Sequence, residues 1–162
     1  ADMMKEAGLT HGGFYAHFAS RDALMVEAME RAGRDNQAAL ADGIERRVAK
    51  GSSRFAALVA CYLHDTHLDS AEDGCVVASL ASEMARQDEA VRDEARRRVA
   101  ALVSLVRSVL PAGAVNARAE VIAATMVGAL QLARTLGGKA GRDLLAQTRK
   151  SLLKQHDPSL QA

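Results

Sequence analysis

Side chains able to do chemistry gather at three places in this 162-residue chain. The first is the opening stretch "LTHGGFYAHFASRDAL", which sets Phe14, Tyr15 and Phe18 beside Gly12 and Gly13 in a chain otherwise poor in aromatics. Two glycines near a helix start cost roughly 1 kcal/mol each against alanine. The cost makes sense where a backbone must approach something closely. Exposed N–H groups at a helix N-terminus attract anions, phosphate among them. Arg21 falls in the first turn of the next helix, where the macrodipole disfavours a cation, and a phosphate neighbour would reverse that penalty.

The second place is "HDTHLD", with His64 and His67 on one helical turn and Asp65 and Asp69 nearby. Two histidines near a helix C-terminus also simply complement its dipole. No further His or Cys cluster completes a ligand set, so neither a metal nor a cofactor is expected. The third is Cys75, which follows Gly74 at an expected helix start, a setting in which cysteines gain reactivity. It reads either as a thiol sensor or as a small buried packing residue. Cys61, mid-helix beside Tyr62, reads as packing. No Ser-His-Asp set, phosphate loop or carboxylate pair stands out, and no enzyme is expected.

The elements that must hold these residues are helical. Hydrophobic residues make up 49% and charged residues 25% of the chain, an ordinary balance for a globular fold with a real core. Alanine, leucine, arginine and glutamate dominate, prolines number two, and alternating β-branched runs are absent, so the fold class is all-α. A net charge of +1 announces no polyanion globally, so such a contact must come from a local patch. Two cysteines make no disulfide framework, no signal segment opens the chain, and no apolar run approaches the roughly 18–20 residues of a membrane span. A cytoplasmic protein is expected.

Along the chain, residues 1–7 read as a short helix closed by Gly8. Thr10 is a plausible cap for a second helix through about Phe18, and Ser20 for a long third one in which Gly33 marks a bend. "RFAALVACYLHDTHL", "CVVASLASEMARQ", "DEAVRDEARRRVAALVSLVRSVL", a nearly apolar helix to Leu136 and "GRDLLAQTRKSLLKQ" complete about eight helices. Asp88–Arg92, Asp93–Arg97 and Glu94–Arg98 are acid-before-base pairs four apart, which describes a solvated helix face.

"AGLTHGGFYAHFASRDAL" closely resembles the DNA-binding signature of the TetR family of bacterial transcriptional regulators. Ala7-Gly8-Leu9, Thr10, Gly12, Phe14-Tyr15, His17-Phe18 and Ser20-Arg21 carry the resemblance, in order, over some eighteen residues. It implies a helix-turn-helix DNA-binding domain over residues 1–24 and a ligand-binding and dimerisation domain, a helical bundle, over 25–162. Thr10 to Phe18 would be the recognition helix in the major groove. Gly12 and Gly13 would let it reach base edges, with His11 the side-chain reader, and Tyr15, His17, Ser20 and Arg21 would hold phosphates. Two departures stand out. His11 replaces a common Lys or Arg, and the family's first helix, which braces the other two, has no counterpart before Ala1, so the DNA-binding domain is expected to be truncated.

The resemblance also implies a homodimer through the last two helices, about residues 117–155. Two recognition helices must reach half-sites about 34–36 Å apart. A small-molecule effector pocket is expected among the middle helices, with Tyr62, Leu80, Met84, Val103 and Met126 as lining residues, since methionine adapts to varied apolar shapes. The function expected is a ligand-responsive regulator, a repressor released from operator DNA by a small molecule or by modification of Cys75. The alternative is a helical small-molecule-binding or interaction protein without DNA function.

Overall fold

The computed structural model describes residues 2–8, 11–70, 74–110 and 117–157. Thr10, the expected cap of the second helix, lies outside them. The helices are α1 (Asp2–Glu6), α2 (His11–His17), α3 (Arg21–Val48), α4 (Arg54–Tyr62), α5 (Asp65–Asp69), α6 (Val76–Met84), α7 (Glu89–Val109), α8 (Ala117–Leu136) and α9 (Gly138–His156). No strand occurs among the described residues, and the chain is all-α as expected.

Local chemistry explains several boundaries. Gly8 leaves α1 with φ 69°, a left-handed conformation that glycine adopts without strain. Ser20 caps α3 by accepting the Ala23 N–H at 3.0 Å. Ser53 caps α4 by accepting from Ala56 N–H at 3.0 Å. The same hydroxyl donates to the buried Asp157 carboxylate at 2.5 Å, pinning the end of α9 to the start of α4.

The core lies where α8 packs against α5, α6, α7 and α9, and α4 packs against α3, α7 and α9. Phe55, Leu58, Tyr62, Ile122, Met126, Leu130 and Leu145 are almost wholly removed from water there. Each such side chain contributes about 1.5–3 kcal/mol relative to exposure. Gly141 lets α9 approach α8 closely, since a Cβ at that position would lie 2.4 Å from the Ala133 carbonyl oxygen. A smaller cluster of Met29, Val76, Met84 and Val91 joins α3, α6 and α7.

Four sequence expectations change. The segment read as one helix through Leu68 is two, because His64 leaves the helical path and caps α5, its Nδ1 accepting the Thr66 N–H at 3.2 Å. Gly33 is no break; α3 runs on through it, and the missing side chain makes room for Arg98, whose Cδ would lie 2.7 Å from a Cβ there. The face around Arg96–Arg98 is only partly solvated. Glu94 is fully buried and pairs with Arg97 Nε and, out of hydrogen-bond alignment, with Arg98 Nε, both at 2.6 Å. A buried carboxylate needs such partners because desolvation costs several kcal/mol. Lastly, Ala119–Leu136 is long and apolar enough to cross a membrane by length and composition. In this fold one face of it, with Ile122, Met126, Leu130 and Ala133, is turned to the core and the other is exposed.

Candidate functional site

The opening motif forms two short helices that pack on each other, α1 and α2, ahead of α3. Phe14 and Phe18, four apart, stack half-buried with ring centroids 5.6 Å apart. Tyr15 meets the Phe14 ring edge-on at 5.2 Å yet remains 67% exposed. His17 and Arg21 are exposed, Gly13 is half-buried, and Ser20 Oγ accepts the capping N–H of α3. His11 and Gly12 belong to α2, but their side-chain surroundings, like all of Thr10, lie outside the described residues.

A polar cluster sits inside the bundle where α4, α5, α6 and α8 meet. Tyr62 ends α4 fully buried, and its ring packs edge-on against His67 of α5 at 5.1 Å. His67 Nδ1 lies 2.7 Å from the Tyr62 carbonyl oxygen, which can only accept, so Nδ1 carries the proton. Nε2 is therefore bare, and it accepts the Cys75 N–H at 2.8 Å. Burial pushes the imidazole pKa below its ordinary value; the bond to the Tyr62 carbonyl opposes that shift and the Arg134 charge adds to it. His67 is thus a neutral tie between α4 and the start of α6, with both nitrogens in use.

Arg134, a charge within the apolar stretch 121–136 of α8, closes the cluster. Its guanidinium donates to the His67 carbonyl at 2.9 Å and to Ser79 Oγ at 3.2 Å. Gly74 fits between these groups: a Cβ there would lie 2.7 Å from His67 Cδ2 and 2.8 Å from Arg134 Nη2. The Tyr62 hydroxyl is buried beside the Cys75 thiol without an aligned hydrogen-bond partner, and burial drives its pKa upward.

Cys75 itself is 6% exposed and occupies the N-cap position of α6 without a side-chain capping bond. Its side faces a small cavity of about 50 Å³ between α3, α6 and α7, shared with Leu40, Leu102 and Arg98. Of the residues expected to line an effector pocket, Tyr62 and Met126 are solid core and Leu80 is 41% exposed. Met84 and Val103 border an open groove of about 840 Å³ along α6 and α7. The five are not brought together. His64 and His67 also diverge, the first serving as a cap and the second turned inward, and no group of three or more metal-ligating side chains gathers among the described residues.

Sequence reasoning missed the roles of His67, Gly74 and Arg134. The available signals were an arginine inside the apolar stretch 121–136 and a glycine directly before Cys75. Compared with known families and characterised proteins, the chain matches no family model and no curated protein.

Proposed function

We propose that this chain is a TetR-like transcriptional regulator, a homodimer whose α2 helices read operator DNA and whose bundle senses a small molecule. The observation that carries the reading is the eighteen-residue opening motif, together with its form. Two short helices joined at a left-handed Gly8 lead into a Ser20-capped long helix, with Tyr15, His17 and Arg21 on the surface. Phe14 and Phe18 anchor the helix from behind. In this reading Tyr15, His17, Ser20 and Arg21 position the protein on phosphates, and His11 with Gly12 and Gly13 reads bases.

Dimerisation through α8 and α9 is supported by what α8 leaves uncovered. Val121, Leu132 and Leu136, spaced along one helix, are 64%, 61% and 58% exposed. Exposed apolar stripes of this kind mark protein–protein contacts. As a repressor, the dimer would leave DNA when an effector binds preferentially to the arrangement whose reading heads misfit the duplex. A thiol trigger at Cys75 has a physical setting: an adduct there would enter the narrow, half-open cavity between α3, α6 and α7.

The test is selection of the full-length protein against a pool of random duplexes. The reading predicts enrichment of an inverted repeat with half-sites about one helical turn apart. Tyr15→Ala should weaken binding to every duplex alike, and His11→Ala should change the preferred bases. No enriched sequence and no salt-sensitive duplex binding would leave a helical small-molecule-binding protein without DNA function.

A further inference from the structure

A third concavity, bordering the polar cluster at His67, lies between the latter half of α3, the end of α4 and α5. It is an open cleft of about 630 Å³, within the roughly 300–1,000 Å³ typical of small-ligand sites. Its wall carries Arg46, Arg47 and Lys50, and among the described residues no carboxylate contributes to its lining. Several surface cations elsewhere sit with anions: Arg31 with Asp35, Arg54 with Glu45, Arg107 with Glu120, Lys139 with Asp143. Arg46 and Lys50 have no ion-pair partner among the described residues. Arg47 spends its Nε–H on the half-buried Cys61 sulfur at 3.3 Å, which fixes its guanidinium at the wall. Gly43 keeps that crossing open, since a Cβ there would lie 2.9 Å from Cys61 Sγ.

Three cations converging on a concave surface whose described lining holds no carboxylate raise the local concentration of anions. Basic residues in the last turn of α3 also favour its dipole, but the dipole needs no cleft. The remaining lining is mixed: Leu40 and Ala39 are apolar, while Asn36, Thr66 and Ser70 are hydrogen-bonding. We propose that this cleft binds a small organic anion, a carboxylate or phosphate on a compact partly apolar body, with Arg46, Arg47 and Lys50 holding the charged group. Binding stands independently of any DNA role. In the regulator reading it names the effector class, and there it rests on that reading. His67 links the two, because its ring borders the cleft while its Nε2 holds the Cys75 N–H at the start of α6.

The experiment is amide and arginine side-chain NMR of the full chain, titrated separately with benzoate, phenyl phosphate, inorganic phosphate and neutral benzyl alcohol. The proposal expects saturable shifts at Arg47 Nε–H, Cys61 and Ser70 with benzoate or phenyl phosphate, and none with benzyl alcohol. Benzoate alone or phenyl phosphate alone identifies the headgroup. Arg46→Gln and Lys50→Gln, both exposed and safe for folding, should each weaken binding roughly fivefold. Shifts spread equally over the Arg96–Arg97 surface, equal response to inorganic phosphate, or affinity unchanged in both variants would overturn it. So would the absence of any saturable shift. Because the readout contains no DNA, its failure is separable from failure of the regulator reading.

Discussion

Adding a methyl group at Gly74 tests the polar cluster most sharply. A Cβ there would sit 2.7 Å from both Cδ2 and Nε2 of His67, and 2.8 Å from Arg134 Nη2. The arginine end is flexible and can give way. The imidazole cannot retreat freely, because it is held at 2.7 Å by the Tyr62 carbonyl and at 2.8 Å by the Cys75 N–H. Overpacking costs about 1–3 kcal/mol, and loss of one hydrogen bond adds about 1 kcal/mol, so Gly74→Ala should cost about 2–4 kcal/mol. Gly74 has no left-handed φ, so alanine brings no backbone strain of its own. For a chain of this size the melting temperature should fall on the order of 5–12 °C. Urea unfolding followed by circular dichroism gives the free energies. In the double variant with His67→Ala the ring is gone and the methyl has room, so the Gly74→Ala cost should shrink by about 1.5 kcal/mol or more. Additivity within about 0.5 kcal/mol would refute the packing argument.

Tyr62→Phe removes a buried hydroxyl that lacks an aligned partner, so stability measured by urea unfolding should hold or rise by up to about 1 kcal/mol. A loss above that would mean the hydroxyl is well bonded. The pKa of His67 is depressed in the fold, so the unfolded chain binds the proton more readily and stability rises with pH. That contribution is present above about pH 6.5 and declines as pH falls through the unfolded value toward the lower folded one. His67→Gln should therefore flatten the pH dependence of unfolding between about pH 7.5 and 5.5, and an unchanged slope would count against a buried neutral imidazole. Leu132→Glu, at an exposed position of α8, should leave the helical spectrum intact and convert the proposed dimer to monomer in light scattering; a wild-type chain that is already monomeric would remove the α8 seam from the account.

What the sequence disclosed was carried by residues with strong local preferences. Gly8 and Ser20 mark helix ends because one tolerates positive φ and the other competes for an N–H, and both act as read. In α3, Leu40 and Ile44, four apart, share one buried face, while Ala28 is exposed and Met29 takes the buried place. The break between α4 and α5 was hidden because histidine is a rare cap and no proline or glycine announces it. Glu94 looked like one of several solvated acids, since only the approach of α3 at Gly33 shows which face is covered. The Tyr62–His67–Cys75–Arg134 cluster depends on contacts up to 67 residues apart, and spacing along a helix says nothing about those. The three cations of the cleft were visible individually; their shared concavity was not.

The central claim is that α2 and the start of α3 sit on duplex phosphates in a two-fold dimer. Binding of the full-length protein to its selected duplex should be followed by fluorescence anisotropy over a range of salt concentrations, for wild type and Arg21→Gln. A dimer loses two phosphate contacts in the variant, so the slope of log K against log salt should become shallower by about 1.8. Identical slopes for the two proteins, or no binding at low salt, would contradict the account.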